Sequence, residues 1–352
     1  MSDYKAILQQ EIQNLRDRVD KATLPEDMLV KVQKDIVALE RSVELGSYDE
    51  KYEKVSRYID WVLQIPWEKE TQDTLDVERT KEIFEKHHYG MKDIKDRFLE
   101  YVSVLQLRKE QFADKDFRAP VLLLVGLVGT GKTTFAYSLA EALDRPLVRI
   151  PFGGMGSAKE LRGATRLYLE SEPGRIIKGI CEAGVRNPII LLDEIDRVAK
   201  EANRDIMGVL VELLDPAQNH SFRDAYIDYP INLSHAIFLA TANNTGDIAT
   251  AVMDRMEKIS MPSYTDHEKI VIAKKYVLSD LLEKAGLKPE QFIIREDVWP
   301  LVVRPLGYDM GIRTLQRTLE GAVRKAARII VEKGYPEIVI TMENYQIFLP
   351  QY

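Results

Sequence analysis

Residues 126 to 133 read Gly-Leu-Val-Gly-Thr-Gly-Lys-Thr, directly after the apolar run Pro120-Val-Leu-Leu-Leu-Val125 and before a helix-forming stretch, Thr134 to Ala142. This is the G-x-x-x-x-G-K-[ST] pattern in the setting that gives it meaning, a buried strand before and a helix after. Gly126, Gly129 and Gly131 let the backbone fold tightly enough for successive N–H groups, Thr130 and Thr134 among them, to point at one anion. The helix N-terminus adds its dipole, and Lys132 reaches the β- and γ-phosphates of a nucleotide. Thr133 supplies a hydroxyl to Mg²⁺. The competing reading is a glycine-rich strand-to-helix turn that holds no ligand.

A second element adds hydrolysis to nucleotide binding. Asn187-Pro188 opens the run Ile189-Ile-Leu-Leu192, which ends in Asp193-Glu194-Ile195-Asp196. Four apolar residues before two carboxylates predict a buried parallel strand that delivers acids to the carboxyl edge of a sheet, where open α/β folds bind ligands. Asp193 is expected in the Mg²⁺ shell and Glu194 as the group that polarises a water against the γ-phosphate. Without the phosphate loop upstream, Asp-Glu after a strand reads as a helix cap.

Three further positions carry chemistry at this spacing. Asn243 ends the strand Ala236 to Thr241 and could orient the attacking water; turn formation is its ordinary role. Arg255 could reach a neighbouring subunit's nucleotide as an arginine finger, against the alternative of a surface ion pair with Glu257. Arg313, opening the helix at Gly311-Ile-Arg-Thr-Leu, could touch the γ-phosphate from a lid, or simply face solvent.

The elements that must position these residues fall into three stretches. Residues 1 to about 86 contain one glycine, Gly46, and look helical. Tyr4 to Val19, a segment beginning near Thr23-Leu-Pro25, and Asp49 to Ile65 each show an apolar stripe at helical spacing, the last stopping at Pro66-Trp67. From 88 to 262 short apolar runs alternate with helical segments, with strands predicted at 121–125, 147–151, 189–192 and 236–241. This spacing implies a mostly parallel, helix-covered sheet. Beyond Pro262, helices are predicted at 265–286, 296–303 and 311–333, with a short strand near 337–341 and a terminal helix at 342–348.

The bulk properties exclude several classes. With 352 residues and 45% hydrophobic content, the chain buries a substantial core in two or three domains. No apolar stretch approaches membrane-spanning length and no leader opens the chain, so a soluble, cytoplasmic protein with no membrane partner is expected. A single cysteine, Cys181, excludes an internal disulfide and a multi-cysteine metal site, and His87-His88 and three other histidines show no ligand spacing. The net charge of −7 argues against a chain dominated by nucleic-acid binding.

The ordered set of phosphate loop, Leu192-Asp-Glu-Ile-Asp196, Asn243, Arg255 and Arg313 resembles that of AAA+ ATPases. More narrowly, the chain resembles the ATPase portion of Lon proteases along essentially its whole length. Tyr58-Ile-Asp-Trp-Val-Leu-Gln-Ile-Pro-Trp67 looks like the Tyr-Leu-Asp-Trp…Leu-Pro-Trp stretch before that ATPase, and His88-Tyr-Gly-Met91 is similar to its His-Tyr-Gly-Leu segment. Arg162-Gly163, Tyr168 and Pro173-Gly-Arg175 resemble its pore-loop region, and Leu214 to Asn219 with Phe222 to Tyr226 its second pore loop.

The resemblance implies an α/β P-loop AAA+ domain with a parallel sheet (87–262), preceded by an amino-terminal helical segment (1–86) and followed by a helical lid domain (263–352). It implies ATP and Mg²⁺ as cofactors, an adenine pocket lined by His88, Tyr89, Gly90, Met91 and Ile94, and assembly with itself as a homo-hexameric ring or open spiral. Tyr168, flanked by Leu167 and Leu169, is implied to grip unfolded or damaged polypeptide in the pore; the residues alone favour a core tyrosine between two leucines. The implied activity is Mg-ATP-driven unfolding and translocation of protein.

Departures from the family pattern are specific. Leu127-Val128 replaces two prolines of the Lon phosphate loop, and Gly153 to Tyr168 lacks a His and one Arg of the Lon pattern. Phe348-Leu-Pro-Gln-Tyr352 corresponds to the junction where Lon's peptidase begins, and no Ser–Lys dyad can be assigned. The chain is therefore expected not to cleave peptide bonds by itself, and a separate peptidase is a further expected partner. Two alternatives compete with a motor. A DNA-responsive ATPase would use Arg313, Arg317, Arg324, Lys325 and Arg328 with Arg108, Lys109, Lys115 and Arg118; a regulatory ATP switch would assemble partners without threading.

Overall fold

The structure, a computed structural model, describes residues 2–44, 49–111, 119–304 and 311–350. The chain opens with α1 (Ser2–Asp20), α2 (Glu26–Glu44) and α3 (Asp49–Gln64). Leu8, Ile12, Leu15 and Val19 of α1, with Met28, Val32, Ile36 and Leu39 of α2, recur every three or four residues and are all buried. Each helix so presents one apolar stripe, and Tyr58, Ile59 and Val62 of α3 complete the small core. Pro66 stops α3 because its ring disfavours helical backbone at Ile65. The connector that follows is tied down by buried Arg145, which makes a two-toothed contact to Asp73 at 2.6 and 2.7 Å.

Next come α4 (Val77–His87) and α5 (Lys92–Gln111), then β1 (Val121–Val125), α6 (Lys132–Leu143), β2 (Leu147–Pro151), α7 (Lys159–Arg162), α8 (Arg175–Ala183) and β3 (Ile189–Asp193). They lead into α9 (Asn203–Leu214), the two-residue strands β4 (Phe222–Arg223) and β5 (Pro230–Ile231), β6 (Ile237–Ala242), α10 (Thr250–Met253) and β7 (Met256–Ser260). A five-stranded sheet has the order β2-β3-β6-β1-β7, and β2, β3 and β6 pair in parallel with Ile189 opposite both Leu147 and Ile237. The four predicted strands are present within one residue of their expected bounds. β7 escapes the pattern because Met256-Glu-Lys-Ile-Ser buries only Ile259, as an edge strand can.

The carboxyl-terminal part contains α11 (Asp266–Ile272), α12 (Leu278–Ala285), β8 (Phe292–Ile294), α13 (Trp299–Val303), α14 (Arg313–Lys333), β9 (Ile338–Ile340) and α15 (Tyr345–Phe348). α11 begins in a capping box, the Thr265 hydroxyl accepting from Glu268 N–H and the Glu268 carboxylate from Thr265 N–H. The single helix expected over 265–286 widens into a π-helical turn at Ala273–Val277. Leu315, Leu319, Ala322, Val323 and Ala326 line the buried stripe of α14 and pack with Trp299, Phe292 and Ile340. The predicted strand β9 finds a parallel partner in β8, which three residues of pattern were too few to reveal.

Two compact units result, one from residues 1–75, 104–123 and 140–258, the other from 76–103, 124–139 and 259–352. In the first, a buried carboxylate organises an exposed loop. Asp224 accepts N–H bonds from Gly174 (2.7 Å), Tyr226 (2.8 Å) and Ile227 (3.0 Å), so burial raises its pKa while these donors pull it back. The two ends of the loop, at α7 and just before α8, run so close that a Cβ on Gly174 would lie 1.9 Å from the Leu161 carbonyl oxygen.

In the second unit, Phe84, Phe98 and Phe135 cluster, and the His88 ring stacks on Phe135 at 3.7 Å and 16°. His88 Nε2 lies 2.9 Å from Ser138 Oγ. Burial, with Lys95 and His87 adding to it, lowers the His88 pKa from 6.5 to about 3, so the ring is neutral in the folded protein.

Gly174→Ala should destabilise the chain by at least about 2 kcal/mol, because the new methyl meets backbone that cannot move away. Gly208→Ala, in the exposed middle of α9 where nothing lies within 4 Å, should stabilise by about 0.5–1 kcal/mol. Urea titrations of both variants check the opposite signs. His88 binds its proton in the unfolded chain near pH 6.5 but in the folded one only near 3, so stability is complete above the first value and falls as pH drops toward the second. His88→Gln should be less stable than the parent near neutral pH, yet show a shallower loss of urea midpoint on acidification.

Candidate active site

The glycine loop after β1 is shaped by contacts that only glycine permits. A Cβ on Gly126 would lie 2.6 Å from the Met261 Cβ, and Gly129 and Gly131 take φ of +83° and +94°. Met261 N–H donates to the Val125 carbonyl at 2.7 Å and Ile312 N–H to that of Gly129 at 3.1 Å. The loop's oxygens turn to internal donors: Thr130 Oγ1 donates to Leu127 O at 2.9 Å, and Thr134 Oγ1 to Gly131 O at 2.7 Å. Lys132 is buried, its ammonium donating to the carbonyls of Gly126 (2.6 Å) and Leu127 (3.0 Å). An ammonium held at the centre of a loop whose glycines free its amides fits a phosphate group. Thr133 lies half-buried at the start of α6, while Leu127 and Val128 are exposed in place of the family's prolines.

Tyr264 joins this loop to the 89–91 turn. Its hydroxyl donates to the Thr130 carbonyl at 3.2 Å and approaches Met91 Sδ at 3.8 Å, and burial pushes its pKa up to about 12. The residues implied for an adenine pocket divide by exposure. His88 and Ile94 are buried, His88 against Phe135, whereas Tyr89 and Met91 are half-buried and Gly90 is exposed. Gly90 and Met91 both have positive φ, +65° and +49°, which makes the turn sharp. Tyr264 was not singled out in the sequence, where one tyrosine before a capping box carries no signal. Arg313 opens α14 with an exposed side chain, one residue after the Ile312 amide that bonds the loop.

At the end of β3, Asp193 is buried and doubly engaged. Arg149 of β2 donates through Nε to Asp193 Oδ2 at 2.8 Å, and Thr241 of β6 donates to Oδ1 at 2.5 Å. Neither Arg149 nor Thr241 was picked out in the sequence, although each is a polar residue inside an otherwise apolar strand. The next residue, Glu194, takes a left-handed conformation (φ 57°, ψ 51°), a cost of about 1–2 kcal/mol for a residue with a Cβ. Its N–H donates to Thr241 Oγ1 at 2.8 Å and its half-buried carboxylate lies 3.7 Å from Arg197. Strain of this kind is tolerated where the surroundings over-determine a turn, as at many active sites. Asp196 accepts the backbone N–H of Asn243 at 3.1 Å and of Asn244 at 3.2 Å, pinning the end of β6.

Arg255 follows α10 and bonds to the Ala251 carbonyl (2.6 Å) and the Asp215 carboxylate (3.1 Å), so Asp215 is an ion partner of this arginine. Asp215 is held below the usual carboxylate range by the Ala217 N–H, with Gln218 and Arg255 adding to it. Tyr168 is 70% and Leu167 73% exposed, with Leu169 half-buried, so the core-tyrosine alternative does not hold. The stem is braced by Arg162, which makes two 2.7 Å contacts to Glu212.

The basic residues of α14 are partly committed within the chain. Arg324 pairs with Glu320 (3.7 Å), Arg328 with Glu332 (2.7 Å), and Lys325 donates to the carbonyl of Ile347 (2.9 Å). Lys115 and Arg118 lie outside the described residues. Among the described residues no helix is long and apolar enough to cross a membrane, and no group of three or more His, Cys, Asp or Glu side chains gathers as for a metal ion.

Residues 122–264 match the AAA family, described as the ATPase family associated with various cellular activities. Lon protease 2 of Thermus thermophilus is 38% identical over 347 residues, covering 97% of this chain and 43% of its own length. The Lon proteases of Desulforamulus reducens (38% over 336 residues) and Bacillus thuringiensis (37% over 334) are similar over 95% of the chain. The chain spans about two fifths of the length of these curated relatives. The matched AAA region contains the glycine loop, the β3 acids, Asn243 and Arg255 together, and the similarity to Lon extends through the helices on both sides: the chain is a Lon-like AAA+ ATPase module.

Proposed function

We propose that this module hydrolyses Mg-ATP to thread unfolded or damaged polypeptide past Tyr168, in the cytoplasm and as a ring or open spiral of identical copies. The observation that carries this is the exposure of Tyr168 and Leu167 at the tip of a braced loop, in a chain that is an AAA+ ATPase. An apolar ring in water is costly to maintain in isolation and is suited to gripping many side chains without sequence preference.

Each site residue has a part in this reading. The amides of Gly129 to Thr134 and the Lys132 ammonium hold the phosphates. The Thr133 hydroxyl and Asp193 carboxylate are hard oxygen donors of the type Mg²⁺ requires. When bound, the metal would neutralise charge that develops on the transferred phosphoryl group. Glu194 accepts the proton of the attacking water and Asn243 orients that water. Arg255 serves the nucleotide of a neighbouring copy, and Arg313 makes the lid responsive to the γ-phosphate. Tyr89, Gly90 and Met91 border the base. The relatives are named as proteases; peptide cleavage in association with this module belongs to a peptidase, whether joined to it or separate.

Lys132→Ala should abolish nucleotide binding, measured with a fluorescent ATP analogue. Glu194→Gln should keep that binding and lower turnover by at least about a hundredfold, since the general base contributes roughly 10²–10⁴. Turnover at the parental rate in Glu194→Gln would show the acid to be misassigned. Tyr168→Ala should retain ATP turnover while losing the unfolding of a fluorescent protein substrate; undiminished unfolding by that variant would remove the threading proposal.

A further inference from the structure

The amino-terminal helices touch the exposed loop directly, and the contacts fall on its backbone. Arg57 of α3 donates through Nη1 to the Leu169 carbonyl at 2.7 Å, and Lys54, one turn earlier, reaches the Leu167 carbonyl at 3.3 Å. Just before the tip, the Arg166 guanidinium lies 3.9 Å above the centre of the Tyr58 ring and 3.2 Å from the Asp35 carboxylate of α2. Tyr58 is itself completely buried, its hydroxyl donating to the Ile227 carbonyl at 3.2 Å, and Lys31 donates to the Asp228 carbonyl at 2.7 Å. Burial raises the Tyr58 pKa to about 12, so it remains a hydrogen-bond donor throughout the working pH range. The same helices therefore hold both the 166–169 tip and the carbonyls of Ile227 and Asp228.

Carbonyl capping of this kind constrains backbone while leaving side chains at the tip free. Leu167 and Tyr168 stay in water while the peptide groups at Leu167 and Leu169 are fixed by cations from α3. An exposed tip without such braces would sample many conformations, and each substrate contact would have to offset the ordering entropy.

We infer that Arg57, with the Arg166–Tyr58–Asp35 stack, is a positioning device that presets the pose of the Tyr168 loop for polypeptide, making the amino-terminal helices a working part of the substrate grip. This rests on the threading function proposed above. The braces act on substrate affinity, so a change in them alters the concentration of unfolded protein needed for half-maximal stimulation of ATP turnover.

The test uses the full chain and a spin label. Cys181 is the only cysteine, so Leu167→Cys in a Cys181→Ser background takes a single nitroxide at the loop tip. Arg57→Ala in that background should sharpen the spectrum to that of a mobile label; Asp35→Asn should do so more weakly, and Arg57→Lys should restore most of the ordered line shape. In the native-cysteine chain, Arg57→Ala should raise the KM for a permanently unfolded protein about two- to fivefold, the scale of one exposed charged contact, with kcat at saturation nearly unchanged. An unaltered spectrum in Arg57→Ala overturns the inference, as does a fall in kcat with KM held constant. Failure of threading itself reads differently: Tyr168→Ala then leaves protein processing intact while the label still reports the loss of the brace.

Discussion

A carboxylate buried at the edge of a sheet is the constraint around which this chain is arranged. Asp193 leaves water almost completely, and an ionised group in that position is tolerated only with close, well-aimed partners. Three adjacent strands meet the demand: Arg149 from β2 and Thr241 from β6 converge on the acid that ends β3. The same threonine hydroxyl accepts the Glu194 amide, so the acid after Asp193 is held in its left-handed turn by the group that satisfies the acid before it. Parallel pairing in register sets this convergence, since shifting β3 by one residue would reverse which side chains face each way.

The glycine loop solves a different problem with backbone alone. In the proposed function its amides point outward to an anion, and its carbonyls are satisfied from within. Lys132, Thr130 and Thr134 do so, and the Ile312 amide at the entry to α14 takes the carbonyl of Gly129. That last bond joins the loop to the start of the helix bearing Arg313. Tyr264 adds a second link, from Thr130 to the turn at Met91.

Much of this was readable from residue order. The phosphate loop, the acidic end of β3, the strands over 121–125 and 147–151 and the long α14 stripe all announce themselves through apolar runs and fixed spacings. What stayed hidden has a common cause, namely partners distant in sequence. Arg149 is one charge in a short strand until β3 is laid beside it. Nothing in the order of residues foretells the stack of the His88 ring on Phe135 or its contact with Ser138, fifty residues away. β7 carries too few apolar residues to register as a strand, and β8 is too short. Tyr168 illustrates the converse, because flanking leucines suggest burial, whereas the narrow stem closed by Gly163, Gly174 and Asp224 leaves no core for the tip to enter.

The molecule so combines a strained, densely bonded strand end at Asp193 and Glu194 with a loop whose side chains are exposed and whose backbone is held. ATP turnover of the purified chain, with and without a permanently unfolded protein, tests the connection between the two most directly. The account predicts faster turnover in the presence of the unfolded chain. Tight nucleotide binding with turnover indifferent to that chain would contradict it.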